Sequence, residues 1–248
     1  MHPFATALYR VGAVATLLVA PPLTIAVSLA ALAGMTFFRM SPSAVQRFPA
    51  WWGRVICRLC GVRVEVHGRE RLPAGRPCII AANHSSQFDI FALQGYLDYD
   101  FRWLAKKELF RIPVFGPAMK RAGYIPVDRG RSREAVKSVT AAARRIADGA
   151  AVVIFPEGTR SPDGKLRSFK GGAMVLAIKA RVPIVPLGIS GSHRVLPKGR
   201  LLARPGRIVL RIGEPIDCAS FSVKERDRLA EVVHQRIAAL LAPEQRGG

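Results

Sequence analysis

The stretch 83–89, NHSSQFD, sets an imidazole and a carboxylate five positions apart, directly after the apolar run CIIAA. On a straight helix, positions five apart differ by about 140°, so His84 and Asp89 would not face each other. They meet if His84 sits on the turn leaving a strand and Asp89 in the first turn of the next helix. The carboxylate would then hold one ring nitrogen and leave the other free as a base, as in the serine-protease triad. Ser85 and Ser86 lie between them, but adjacent residues point apart and no G-x-S-x-G elbow surrounds them. The simpler source of the proton is a hydroxyl on the substrate. The plainer reading makes Asn83 and Asp89 helix caps and His84 incidental.

A second cluster, FPEGTRS at 155–161, supplies an anion site. Gly158 lets the backbone approach a ligand closely, and Arg160 offers a planar fork for phosphate. Glu157 would orient Arg160 or accept from a substrate hydroxyl. GYIPVDR at 123–129 and KKELFRIPVFG at 106–116 bring further cations, so that Arg129 with Lys106 or Lys107 would complete a phosphate or coenzyme-phosphate pocket. Each of these, taken alone, also reads as a solvated basic loop. VPIVPLGI at 182–189 is apolar with two prolines; Val182, Pro183, Ile184, Val185 and Pro186 form either a hydrophobic wall or a buried core strand.

The elements that would position these groups follow from periodicity. VRVEV at 62–66 alternates strictly and predicts a strand; further strands are predicted at 77–82, 101–105, 123–127, 150–155, 183–189 and 207–212. Helical patterns fill 41–60, 89–97, 114–121, 131–148, 169–180 and 223–241, with Trp51 and Trp52 suited to an interface. Strands alternating with helices make an α/β domain with a mostly parallel or mixed sheet flanked by helices. In such sheets ligand sites gather at the carboxyl ends of strands, which is where the polar clusters fall. The boundary lies near residue 60, dividing amino-terminal anchoring helices (1–60) from a catalytic-size domain (61–248).

Residues 11–38 carry no charge. A continuous helix of that length would measure about 42 Å against a hydrocarbon core of about 30 Å, and Pro21 and Pro22 are expected to break it. Two pictures follow: one kinked or tilted span, or a hairpin of two helices dipping into one leaflet. The small residues of LAALAG would also suit a cleaved signal peptide, but the stretch is long and proline-broken. Arg39, Arg47, Arg54 and Arg58 follow it while only Arg10 precedes, which keeps the remainder on the cytoplasmic side.

With 38 Lys+Arg against 17 Asp+Glu the net charge is +21, so an anionic partner is expected. The basic residues form no tract and no zinc-finger, RNA-binding or basic-heptad pattern, which argues against nucleic acid. Cys57 and Cys60 make a lone C-x-x-C, read as two buried thiols on one helical face; with Cys78 and Cys218 they do not make a disulfide framework. His67, His193 and His234 have no visible partner, and Arg194 and Lys198 in GSHRVLPKGR are candidates for facing a membrane.

The blocks H-x4-D, G-x-I-x-x-x-R, F-P-E-G-T-R-S and V-P-I-V-P, in this order and spacing, resemble the glycerolipid acyltransferase family, and within it the PlsC-type 1-acylglycerol-3-phosphate acyltransferases. The resemblance covers about 50–215; Pro126 and Val127 depart from the more polar pair of many members. It implies that His84 is the general base for a glycerol hydroxyl, oriented by Asp89, with direct attack on an acyl thioester and no acyl-enzyme. It further implies that Glu157, Gly158, Thr159 and Arg160 bind the glycerol phosphate, that the apolar wall guides acyl chains, and that no metal or cofactor is needed. Acyl-CoA or acyl carrier protein would be the co-substrate, and lysophosphatidic acid and membrane lipid the partners; the Ala/Arg-rich composition suggests that the membrane is a bacterial cell membrane. The same chemistry would serve glycerol 3-phosphate, a lysophospholipid or a lyso-aminolipid, and a rival of another class is a non-catalytic basic membrane protein.

Overall fold

The computed structural model describes residues 3–128 and 133–247; Arg129 lies outside them. The described elements run α1 (Pro3–Phe37), α2 (Pro42–Val45), α3 (Arg47–Leu59), β1 (Val62–His67), β2 (Ile79–Ala82), α4 (Phe88–Tyr96), β3 (Arg102–Lys106), α5 (Phe115–Arg121), β4 (Ile125–Val127), α6 (Arg133–Ala147), β5 (Val152–Ile154), α7 (Gly171–Ala180), β6 (Ile184–Ser190), α8 (Ser192–Val195), β7 (Gly206–Ile212) and α9 (Arg226–Leu240).

The strands form one 7-stranded sheet in the order β1-β7-β6-β2-β5-β3-β4. Five neighbours run parallel, and β7 pairs antiparallel with β6, so β1 and β7 point opposite to the other strands. The sheet is therefore mixed, with a parallel centre. β2 lies between β5 and β6, with Ile80 opposite Val153 and Val185. Being covered on both faces, β2 is apolar at every position rather than alternating, and Ile79 and Ile80 are fully buried, each worth about 1.5–3 kcal/mol.

One face of the sheet packs against α3 and α4, the other against α6, α7 and α9. Gly53 and Gly95 let α3 cross α4 with backbones touching: a Cβ on Gly53 would lie 2.6 Å from the Phe91 carbonyl oxygen and 2.9 Å from the Gly95 nitrogen.

The expected break at Pro21 and Pro22 does not occur; α1 runs through both. The carbonyls left without amide donors are those of Leu17 and Leu18, whose side chains are exposed. The chain reverses instead at 38–46, and α3 returns antiparallel along α1. Gly34 lies beside Phe48, the Trp52 Nε1–H donates to the Thr24 hydroxyl at 3.1 Å, and Cys60 Sγ donates to the Thr16 hydroxyl at 3.3 Å. A helical hairpin thus exists, made by α1 and α3. Trp51 is exposed, as an interface would want, while Trp52 turns inward and meets Phe91 edge-on at 4.9 Å. Cys57, Cys60, Cys78 and Cys218 are free and buried, and burial pushes the Cys57 thiol up to about 12.

Candidate active site

Strands β2, β3, β4, β5 and β6 all end on one edge, and the loops that leave them meet there. Asn83 is not a helix cap. Its Nδ2 donates to the Ile189 carbonyl at 2.9 Å and its Oδ1 accepts the Ile189 N–H at 2.7 Å, clasping the end of β2 to β6. The next residue, His84, leaves the strand as expected, and Asp89 falls in the first turn of α4.

His84 Nδ1 lies 2.8 Å from Asp89 Oδ2. The same oxygen accepts the Ser85 and Ser86 amides at 2.8 and 2.9 Å. Facing a carboxylate oxygen that also accepts two amides, Nδ1 is the donor of the pair, and in the neutral ring Nε2 is then the nitrogen with the lone pair. Asp89 is fully buried, while His84 stays partly open and stacks on Phe155, centroids 3.9 Å apart and planes 11° from parallel. The ring's orientation is therefore fixed by a hydrogen bond and by a flat apolar neighbour. Both serine hydroxyls are engaged away from the ring. Ser85 Oγ lies 3.0 Å from Ser192 Oγ, and Ser86 Oγ donates to the Leu196 carbonyl at 2.8 Å.

The turn after β5 locks onto this loop. Phe155 accepts the Gly158 N–H at 3.0 Å, and Gly158 has φ +74°, a conformation that strains any residue with a Cβ. Lys170 lies across Gly158, its Cε and Nζ 3.1 Å from where a Cβ would stand. Glu157 does not engage Arg160. It is buried, and its Oε1 accepts the His84 backbone N–H at 2.7 Å, while among the described residues Oε2 meets no hydrogen-bond donor in good geometry. Burial raises its carboxyl to about 7; the bond from the His84 amide and the nearby Arg167 pull the other way.

Thr159 and Arg160 face outward from the same turn. Lys198 Nζ, from the loop after α8, comes within 3.4 Å of the Thr159 hydroxyl. Arg160 is half-buried. Lys170 and Lys198 thus bring two further cations to the turn that carries Arg160, which spacing alone does not reveal. Lys106 is exposed at 3.7 Å from Glu108, and Lys107 is paired with Asp128.

His84 opens into a cavity of about 390 Å³, within the usual range for ligand sites. Its walls come from Val27 and Ala31 of α1, Trp52 of α3, Ile90 of α4, Trp103 of β3 and Met119 of α5, with Phe155 beside the ring and Lys106 at the lining's polar part. The apolar helix read from sequence as an anchor is thus also a wall of the site.

Val182, Pro183, Ile184, Val185 and Pro186 do not line this cavity; they lead into and form β6 in the core. Pro186 is tolerated in an inner strand because its nitrogen faces β7 beyond the last ladder pair, Leu187 with Ile212, and its carbonyl still accepts from Gly213 at 2.8 Å. Of the alternatives open in the sequence, the buried core strand is the one found.

Residues 63–190 match the sequence profile of the acyltransferase family. A protein of Chlamydomonas reinhardtii named 1-acyl-sn-glycerol-3-phosphate acyltransferase is 34% identical over 184 residues, 73% of this chain and 54% of that protein. One of the same name from Pseudomonas aeruginosa is 34% identical over 168 residues, 67% of this chain and 63% of its own length. The crystal structure of the 1-acyl-sn-glycerophosphate (LPA) acyltransferase PlsC from Thermotoga maritima superposes with a TM-score of 0.70 at 30% identity, covering 87% of this chain and 92% of that one. The matches span less than two thirds of these two curated relatives.

Proposed function

The chain belongs to the acyltransferase family, and from that premise we propose that it moves an acyl chain from an acyl thioester to the sn-2 hydroxyl of 1-acyl-sn-glycerol 3-phosphate, giving phosphatidic acid. The thioester is acyl-CoA or acyl carrier protein. The observation that carries this reading is the His84–Asp89 pair at the opening of an apolar cavity, with cations gathered on the adjoining turn.

In this reading His84 Nε2 takes the acceptor hydroxyl proton while Nδ1 stays donated to Asp89. The acceptor oxygen attacks the thioester carbonyl carbon, the tetrahedral intermediate collapses with breakage of the C–S bond, and the leaving sulfur receives the proton from the imidazolium. Asp89 supports the positive charge that the ring carries between the two transfers. Such acid–base assistance contributes about 10²–10⁴-fold. The buried, engaged hydroxyls of Ser85 and Ser86 support direct transfer with no acyl-enzyme. Arg160, Lys170 and Lys198 meet the phosphate, and the cavity takes an acyl chain.

The membrane supplies the substrate. Thr16–Phe37 is 22 residues long and apolar enough to cross, about 33 Å as a helix. The arginines that follow it support a sheet domain on the cytoplasmic side of a cell membrane.

The test is to supply membranes carrying the protein with radiolabelled 1-oleoylglycerol 3-phosphate and acyl-CoA, beside glycerol 3-phosphate and lysophosphatidylcholine. Labelled phosphatidic acid from the first acceptor is the expected product. Acylation of another acceptor alone would overturn the acceptor assignment. No product with either acyl-CoA or acyl carrier protein would overturn the transferase reading.

A further inference from the structure

The loop between α8 and β7 exposes apolar surface that the fold has no use for. Leu201 is 72% exposed and Leu202 43%. Lys198, Arg200 and Arg204 surround them, all exposed. The flanking arginines are paired, Arg194 with Glu244 and Arg207 with Glu65, whereas among the described residues no carboxylate pairs with the three cations inside the loop. The loop is nonetheless pinned at its base. Arg204 N–H donates to the Val195 carbonyl at 2.8 Å and Arg200 N–H to the Pro197 carbonyl at 3.1 Å. Its stem also shares a layer with the amino-terminal hairpin, since Leu196 and Ala203 pack into the same core face as Ala20 and Leu23 of α1 and Trp52 of α3.

We propose that this loop is a second membrane-docking element, fitted to an anionic lipid surface, that seats the acceptor-binding turn at the headgroup level. An apolar pair ringed by unpaired cations is the pattern that enters the interface of a charged leaflet. Two contacts tie it to the site: Lys198 reaches the Thr159 hydroxyl, and the Leu196 carbonyl accepts from Ser86 in the loop of the His84–Asp89 pair. Docking thus brings the cationic turn to where lipid phosphates lie. The inference rests on the membrane placement of α1 proposed above.

The four native cysteines are buried, so single exposed cysteines can carry an environment-sensitive fluorophore in the full chain. The positions are Leu201→Cys in the loop, Leu29→Cys on exposed α1 as positive control, and Lys224→Cys before α9 as negative control. In vesicles containing phosphatidylglycerol, the probe at 201 should shift to the blue and be quenched by nitroxide-labelled lipid, while the probe at 224 should not. In phosphatidylcholine vesicles the shift at 201 should be lost while that at 29 remains. Adding Arg200→Gln and Arg204→Gln should reduce the docked fraction by about fivefold per cation removed, with probe 29 unmoved. Silence at 201 with insertion at 29 overturns the proposal and leaves the anchor standing; silence at both overturns the anchor as well. An equal response in neutral vesicles, or one produced there only by adding acyl carrier protein, also overturns it, the last making the loop a protein dock.

Discussion

The backbone N–H of His84 donates to Glu157 Oε1 at 2.7 Å, and the His84 carbonyl accepts the Ser161 N–H at 2.8 Å. His84 is therefore held at two levels, its ring by Asp89 on its own loop and its main chain by the turn after β5. Glu157→Ala removes the acceptor of a buried amide, which should cost about 1–3 kcal/mol of stability. Turnover should fall more than KM rises, because the residue loosened is the proposed base. Glu157→Gln keeps a carbonyl acceptor and should restore most of both, read from steady-state kinetics and thermal unfolding in parallel.

The same carboxyl makes stability depend on pH. Its ordinary value of 4.5 rises to about 7 in the folded protein, so between those values the native state holds a proton that the unfolded chain has released. Stability should fall as pH rises through this window, with the full cost of about 3 kcal/mol in place above about pH 7. Tm recorded across the window should decline for the wild type, and Glu157→Gln should flatten that decline. An unchanged slope in the variant would assign the dependence to other groups.

Asp89 Oδ2 accepts three hydrogen bonds, while Oδ1 is buried with none among the described residues. Asp89→Asn can keep its carbonyl on the three donors but loses the charge that would support an imidazolium. The fold should survive and kcat should drop by about 10²–10⁴. A kcat within tenfold of wild type in folded protein would remove Asp89 from the mechanism.

The cavity predicts a preference among thioesters. Ala31 projects from α1 into it, and Ala31→Phe would occupy part of its about 390 Å³. Long-chain donors should lose kcat/KM by about tenfold or more, as expected when a hydrophobic pocket can no longer take several methylenes, and short-chain donors should change little. Equal losses for both lengths would mean that the acyl chain lies elsewhere.

The polar half of the candidate site is legible because polar residues clustered at the ends of apolar strands have few other uses; His84, Asp89 and the 155–161 turn stand out that way, and the structure brings them together. Its apolar half was not. A parallel strand buried on both faces and a lipid-lined wall are both uniformly apolar, so Val182–Pro186 could be read either way until β6 was seen between β2 and β7. Nor does any local pattern announce that α1 walls a cavity opened by His84, or that Lys198 comes to Thr159, 39 positions away. The prolines at 21 and 22 suggested a break because propensity is a local rule; α1 keeps its course while α3 packs along it.

The most direct test of the central claim is the turnover of His84→Ala in membranes, with labelled 1-oleoylglycerol 3-phosphate and acyl-CoA. If His84 is the base, phosphatidic acid formation should fall by about 10²–10⁴ while the protein stays folded and membrane-bound. Turnover within tenfold of wild type, from the same amount of folded protein, would contradict the assignment.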